Sequence, residues 1–262
     1  MVKTFENKGY WAVVLGGSSG LGLASAQKLA SEGMNICIVH RDPRAAMVQI
    51  KPEFEKMASI TGFKSFNLDA ALADNVDTIA DALKSAFHDG DRVRLLLHSV
   101  ARGTLKAATG PDQLSSDDLL ITAGAMAFSL MYWTQALADA GLFADDARVL
   151  AFTSEGARRP IRGYAAVSAA KAALEALVRS IAIEFGPMGI RANCVQAGVT
   201  ATRSMLAIPG SEAIIRHASK RNPLGRNTLP DDIAKVVYLL CRDEAAWING
   251  TIICADGGES LQ

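Results

Sequence analysis

The chain has few cysteines, no excess of charge of either sign and no apolar run long enough to span a membrane. Its 27 basic residues balance its 27 acidic residues, so we expect neither nucleic acid nor an anionic membrane surface as a partner. The longest apolar runs have the length of strands, and the first residues do not resemble a secretory signal. We therefore expect a cytoplasmic protein.

The four cysteines, Cys37, Cys194, Cys241 and Cys254, are scattered along the sequence. Structural zinc sites usually take their ligands from closely spaced pairs of cysteines or histidines, and no such pair of cysteines is present. The spacing predicts buried free thiols and no metal site.

Low-complexity linkers are also absent, and strand and helix patterns alternate along all 262 residues. This order predicts an α/β fold: a single-domain, doubly wound parallel sheet of the Rossmann type, with about seven strands and helices on both faces. Strands are predicted at 10–15, 35–39, 63–67, 93–98, 148–153, 190–196 and 251–254. Helices are predicted at 21–30, 44–59, 75–87, 116–140, 165–184 and 230–241.

A glycine-rich segment, residues 16–22, lies between the first predicted strand and the first predicted helix. Glycines permit a tight turn and a close approach of the backbone to a pyrophosphate, and the helix N-terminus offers unpaired amides and a favourable dipole. We expect this loop to bind a dinucleotide through Gly16, Ser18, Ser19, Gly20, Leu21 and Gly22. The alternative is an ordinary glycine-rich turn between a strand and a helix.

The type of dinucleotide should depend on the residues that follow the second strand. Arg41 stands there, and a guanidinium suits a phosphate dianion, so the sequence favours NADPH over NADH. Alternatively, Arg41, Asp42 and Arg44 form a solvated loop with an internal ion pair. Asp69, with its neighbour Ala70, follows the third strand and is expected to lie against the adenine. Its alternative role is to cap the next helix.

Tyr164 and Lys171 are separated by six residues, at the start of the helix predicted over 165–184. Seven positions correspond to a rise of roughly 10 Å, with both side chains on one face of the helix. A ribose between them could contact both, so that the lysine holds a cofactor while the tyrosine reaches a reacting oxygen. The alternative is a partly exposed tyrosine at a helix start and a surface lysine.

These features resemble the short-chain dehydrogenase/reductase superfamily and, within it, the divergent enoyl-acyl-carrier-protein reductases. The resemblance covers nearly the whole chain and includes the segments 98–100, 186–193, 197–200 and 255–258. Carbonyl-reducing members carry tyrosine and lysine separated by three residues, and an Asn-Asn-Ala-Gly motif after strand four. Here Ser168 occupies the position of that lysine, and His98-Ser99-Val100-Ala101 stands in place of that motif. The short glycine loop, and Ser154 where better-known members have a second tyrosine, are similar to the NADPH-using type.

The resemblance implies hydride transfer from NADPH to the β-carbon of a trans-2-enoyl thioester, carried by acyl carrier protein or coenzyme A, in fatty acid synthesis. Tyr164 would stabilise the enolate oxygen, and Lys171 would bind the nicotinamide ribose and make Tyr164 a better hydrogen-bond donor to that oxygen. Ser154 is a further candidate at the substrate. Other residues expected at the cofactor are Ser99, Val100, Gly198, Val199, Thr200 and Thr202.

The resemblance also implies a mobile substrate flap at about 202–220 and a homotetramer built through long helices and a final strand. Two other functions stay open. One is an NAD(P)-dependent carbonyl reductase acting on a 3-oxoacyl thioester or another ketone, in which Tyr164 protonates the new alkoxide. The other is a non-catalytic dinucleotide-binding regulatory protein, since a fold does not fix a function.

Overall fold

The computed structural model describes residues 3–208 and 210–262, and its centre is one seven-stranded sheet. The strands pair in parallel in the order β3-β2-β1-β4-β5-β6-β7. They are β1 (Tyr10–Leu15), β2 (Asn35–His40), β3 (Phe63–Asn67), β4 (Arg92–His98), β5 (Phe143–Thr153), β6 (Ile190–Ala197) and β7 (Ile252–Ala255). The predicted doubly wound α/β fold is confirmed.

Helices cover both faces of this sheet. They are α1 (Gly20–Ser31), α2 (Met47–Ala58), α3 (Ala73–Ala86), α4 (Ser116–Ala123), α5 (Ser129–Asp139), α6 (Ala165–Glu184), α7 (Arg203–Leu206), α8 (Ser211–Arg221) and α9 (Pro230–Cys241). None of the helices in the described residues is long and apolar enough to cross a membrane.

The central strands are buried on both faces, which explains their nearly continuous apolar sequences. One face packs against α3, α5 and α6 through side chains such as Ile79, Trp133 and Leu174. The opposite face packs against α1, α2 and α9, for example through Leu29 and Ile233. Two hydrophobic cores therefore hold the sheet rigidly between them.

Strand β5 begins at Phe143, earlier than the residue 148 predicted from its apolar run. Its pairing with β4 shifts register, because Val93 lies opposite Phe143 but Leu95 lies opposite Arg148. The extra residues of β5 form a bulge at the N-terminal edge of the sheet. Asp146 lies in this bulge and pairs with Arg94, Arg148 and Arg191. A charged segment inside a strand is not visible as an apolar run, so the prediction began too late.

The helix predicted over 116–140 is interrupted by a π-helical turn, Gly124–Phe128, between α4 and α5. The turn is followed by Ser129, whose buried hydroxyl donates to the Ala125 carbonyl and lies 2.8 Å from Nε2 of His98. Single π turns inside α-helices are frequent at functional sites. This turn holds the side chain of His98 in place at the carboxyl end of β4.

The prediction of buried free thiols holds for three of the four cysteines and is wrong for Cys254. Cys254 lies in β7, the last strand of the sheet, which pairs on one side only with β6. Its thiol is exposed because, in the part of the chain that the structure describes, no further strand covers that edge.

Candidate functional site

A cavity of about 340 Å³ opens at the carboxyl ends of the strands, beside the point where β1 and β4 become neighbours. Doubly wound sheets bind ligands at this position, because the loops on the two sides of the reversal diverge there. The predicted site residues that line the cavity are Gly16, Ser18, Ser19, Gly20, Leu21, Arg41, Asp69, Ala70, Ser99, Val100, Ser154, Tyr164, Lys171 and Thr202. The topology thus brings residues from many parts of the chain together.

Gly22 is not among the lining residues, although it belongs to the glycine-rich loop. It lies beneath the loop, where a Cβ would stand 2.5 Å from the Gly16 carbonyl oxygen and 2.9 Å from the Ser99 hydroxyl. The absence of a side chain therefore lets α1 pack closely against the β1 and β4 ends. Gly22 therefore supports the packing of the loop and does not face the cavity.

Gly198, Val199 and Thr200, which the sequence also predicts at the cofactor, do not line the cavity. The Val199 amide already donates to Oε2 of Glu259, near the C-terminal end of the chain. The Thr200 hydroxyl donates back to the Gly198 carbonyl. These polar groups are engaged with each other and with the C-terminal segment, which withdraws them from the cavity.

Tyr164 and Lys171 both face the cavity from the start of α6. Tyr164 immediately precedes the helix and is partly buried, and Lys171 lies on its second turn and is buried. The Lys171 ammonium donates to the Phe152 carbonyl at 2.7 Å. The helix therefore presents a phenol and an amine to one cavity, as its spacing predicts.

The charge states of these two groups follow from their burial. Burial lowers the pKa of Lys171 to about 8, although Cys194 and Glu175 act in the opposite direction. Burial also raises the pKa of Tyr164, and the neighbouring Ser154 hydroxyl offsets only part of that change. Tyr164 is a neutral hydrogen-bond donor, which suits a role in stabilising an oxyanion.

The Ser154 hydroxyl is buried and, apart from the nearby Tyr164 phenol whose pKa it lowers, has no hydrogen-bond partner among the described residues. Buried polar groups are usually hydrogen-bonded, and leaving one unpaired costs about 1–3 kcal/mol. Because Ser154 lines the cavity beside Tyr164, its free hydroxyl points to a polar group of a ligand as the missing partner.

His98 lies behind this part of the site and does not line the cavity. Burial, together with the charge of Lys171, lowers the pKa of His98 to about 3. The ring is neutral at working pH and packs against Ser129, so it holds the end of β4 in place.

The far end of the cavity carries two exposed arginines that meet on one carboxylate. Arg41, after β2, and Arg102, after β4, each donate to Oδ2 of Asp69 at 2.8 Å. Within the described residues, Arg41 does not form the internal ion pair considered for the 41–44 loop but reaches across to Asp69, in the loop after β3. Asp69 also accepts from the Ala71 amide, while α3 begins only at Ala73 with Leu72 before it, so Asp69 does not cap that helix.

Asp42 and Arg203 form a second ion pair across the cavity mouth, which the sequence did not suggest. The Asp42 carboxylate is buried and accepts from Arg203 at 2.8 Å, and it also contacts His40. Burial alone would raise the pKa of Asp42, but Ser18, Arg203 and His40 outweigh it and lower the pKa. The only signal in the sequence for Arg203 was its position directly after Thr202.

The segment predicted as a flap forms the two short helices α7 and α8. Thr202 accepts from the Met205 amide at the start of α7, and its methyl group lies beside Gly20 of the glycine-rich loop. The apolar side chains proposed to cover a substrate, Met205, Leu206, Ile208, Ile214 and Ile215, are all at least partly exposed.

The cavity thus combines a glycine-rich loop and arginines at one end with a phenol and a buried amine at the other. The first half suits a phosphate-bearing nucleotide, and the second suits an oxygen that gains negative charge during a reaction.

Comparisons with known proteins agree with this arrangement. Residues 16–260 match the family model described as Enoyl-(Acyl carrier protein) reductase. The chain is 30% identical over 254 residues to the NADPH-dependent aldehyde reductase-like protein, chloroplastic, of Arabidopsis thaliana, covering 94% of this chain and 93% of that protein. It is 35% identical over 106 residues to the enoyl-[acyl-carrier-protein] reductase [NADH] FabI of Escherichia coli (strain K12), covering 40% of each chain.

Among solved structures, the chain is similar to the enoyl-[acyl-carrier-protein] reductase (NADH) from Aquifex aeolicus VF5. The TM-score is 0.86 at 22% identity, covering 99% of this chain and 98% of that one. At this level of identity the likeness concerns the fold.

Proposed function

Because this chain belongs to the enoyl-(acyl carrier protein) reductase family, within the short-chain dehydrogenase/reductase superfamily, we propose that it reduces the trans-2 double bond of an enoyl thioester with NADPH. The observation that carries this proposal is the convergence of Tyr164, Lys171 and Ser154 on the cavity that also holds the glycine-rich loop. The six-residue separation of Tyr164 from Lys171, with Ser168 in place of a closer lysine, favours an enoyl substrate over a ketone.

The residues of the cavity fit a nicotinamide dinucleotide. The side chain of Ser19 does not cap α1, so the first amides of that helix are not satisfied by it and suit a pyrophosphate. The unpartnered Ser154 hydroxyl lies at the opposite end, beside Tyr164. When bound, the reduced nicotinamide would supply a hydride to the β-carbon of the substrate.

In the mechanism we propose, Tyr164 donates a hydrogen bond to the thioester oxygen as this oxygen becomes an enolate, and the α-carbon then takes its proton from water. Its raised pKa keeps the phenol protonated and therefore able to donate. Lys171, held by the Phe152 carbonyl, would bind the ribose hydroxyls and fix the reacting atoms at attack distance. Ser154 would give the thioester oxygen or the ribose a second polar partner.

Arg41 and Arg102 support the choice of NADPH. Their guanidinium groups already converge on one anionic oxygen of Asp69, and the 2′-phosphate of NADPH offers the same chemistry with more charge. Arg203 forms an ion pair with Asp42, which reduces the repulsion between this carboxylate and the 2′-phosphate.

Replacing Arg102 with glutamine is expected to raise the Kd for NADPH about 10- to 100-fold while changing the Kd for NADH less than twofold, because a charge-assisted hydrogen bond contributes about 1.5–3 kcal/mol. Titration of nicotinamide fluorescence measures both constants. Arg92→Gln, an exposed arginine at the other end of β4, is the matched control. Equal losses for the two nucleotides in Arg102→Gln would contradict a role at the 2′-phosphate.

The similarity to an aldehyde reductase-like protein keeps carbonyl reduction as a second candidate. The deciding experiment offers purified protein NADPH or NADH with a short trans-2-enoyl thioester, and in parallel with a 3-oxoacyl thioester and an aldehyde. Absorbance of the reduced nicotinamide reports turnover. Oxidation with the enoyl thioester alone supports the proposal, whereas oxidation only with the carbonyl compounds replaces it. Binding without any turnover would favour a regulatory role.

We also propose a homotetramer. Exposed apolar side chains of Leu120, Phe128 and Tyr132 follow one side of the helix formed by α4, the π turn and α5, and such a surface suits another subunit. Light scattering at working concentration would distinguish this assembly from a monomer.

A further inference from the structure

Glu175 is a buried carboxylate that no step above uses. It lies on α6 four residues after Lys171, so the two side chains lie on one face of the helix. The residue is only 6% exposed, and a buried charge is costly unless it is paired. Its Oε1 accepts from the Thr153 hydroxyl at 2.8 Å. Thr153 is flanked by Phe152, which binds Lys171, and by Ser154.

The other titratable groups around Lys171 contribute no negative charge at neutral pH. His98 on β4 is neutral, since its pKa is about 3. Burial raises the pKa of the Cys194 thiol on β6 to about 12, and that of Tyr164 is also raised. Two described groups favour the charged form of Lys171, Cys194 and Glu175; because the thiol is neutral, Glu175 is the one that remains.

The surroundings of Glu175 do not neutralise it completely. Arg158, from the turn after β5, is 65% exposed and stands 3.8 Å from Oε2 of Glu175, so water screens its charge. Arg179, one helical turn further along α6, and Cys254 on β7 also lie near this cluster. The field of Glu175 remains available to Lys171 through the low-dielectric interior.

We propose that Glu175 is a positioning residue, whose carboxylate keeps the Lys171 ammonium charged at neutral pH and thereby competent to bind the nucleotide. The claim about nucleotide binding rests on the proposed function, and the claim about the charge of Lys171 does not. Burial favours the uncharged amine of Lys171, and Glu175 offsets part of that penalty. A neutral amine would lose its charge-assisted hydrogen bonds to ribose hydroxyls.

The test is the titration of Lys171 itself in the protein without nucleotide. Lysine labelled with ¹³C at the ε carbon gives an NMR signal that follows the charge of the amine, and Lys171→Arg identifies the signal by removing it. We expect a midpoint near pH 8 in the wild type. In Glu175→Gln, which keeps an acceptor for Thr153, the midpoint should fall by about one pH unit.

Two variants separate this role from a structural one. Glu184→Gln makes the same change at the exposed end of α6 and should leave the midpoint in place. Arg158→Gln removes the ion-pair partner of Glu175 and should leave the midpoint or raise it slightly. An unchanged midpoint in Glu175→Gln overturns the proposal, and so does an equal fall in Glu184→Gln.

The affinity for NADP⁺, measured by calorimetry from pH 6 to 9, then tests the link to binding. In Glu175→Gln the affinity should be about fivefold weaker than in the wild type at pH 8 and should recover by pH 6, because acid restores the ammonium. A defect in folding would not be repaired by acid. If the NMR midpoint moves but the affinity does not, the charge coupling stands and the proposed role of Lys171 at the nucleotide fails.

Discussion

Replacement of Tyr164 with phenylalanine is expected to lower kcat for the enoyl thioester by about 100- to 1000-fold, which is the usual cost of removing one donor to an oxyanion. The ring remains, so its packing against Gly156 is kept, and only the hydroxyl is lost. Affinity for the nucleotide should change less than threefold, because the glycine-rich loop and Lys171 are untouched.

Steady-state kinetics and nucleotide titration on the same preparation measure both effects. Tyr132→Phe is the matched control, since that tyrosine is 44% exposed on α5 and does not line the cavity. Wild-type turnover in Tyr164→Phe would remove Tyr164 from the mechanism, whatever the substrate.

Replacement of Gly189 with alanine is expected to destabilise the fold by about 3 kcal/mol or more. Gly189 has φ of +80°, and a Cβ there would overlap the carbonyl oxygen of Asp145 in the β5 bulge. Neither contact partner can turn away, because both are backbone. For a chain of this size such a loss lowers the Tm by roughly 6–12 °C.

Gly141→Ala separates the cost of the positive φ from the cost of the overlap with a neighbouring atom. Gly141 also has a positive φ, +68°, but a Cβ there would meet nothing within 4 Å, so only the conformational cost of about 1 kcal/mol applies. Thermal unfolding followed by circular dichroism compares the variants. Equal Tm values for Gly189→Ala and Gly141→Ala would show that the β5 bulge can shift to make room for the Cβ without a loss of stability.

Much of the fold could be predicted because local patterns determine it. The apolar runs of β1 and β3 and the alanine-rich α6 have the bounds that the sequence indicates. The errors lie where long-range contacts override the pattern. Asp146 belongs to a strand because three arginines surround it, and α7 is too short to produce a periodic signal.

The candidate site likewise has features that the sequence predicts and features that it does not. Arg41, Asp69 and Ser99 reach one cavity because parallel strands end at one edge, and this follows from the topology alone. Their partners do not follow from it. The bond from Val199 to Glu259 joins residues 60 positions apart, and no local pattern of the sequence contains that pairing. Its consequence is that residues 198–200 lie outside the lining of the cavity, whereas Thr202 and Arg203, further along the same segment, reach it.

The Arg203–Asp42 ion pair has a consequence for the order in which the parts of the cavity form during folding. It joins residues 161 positions apart, and the phosphate loop, both arginines and Tyr164 all lie between or before them in the sequence. Contacts of such long range form late, because the entropy of closing a large loop must be overcome first. A nascent chain that has completed its first four strands already carries the glycine-rich loop, Arg41 and Asp69 but has no wall opposite them. The wall of the cavity that Arg203 provides is therefore completed only by the last third of the polypeptide.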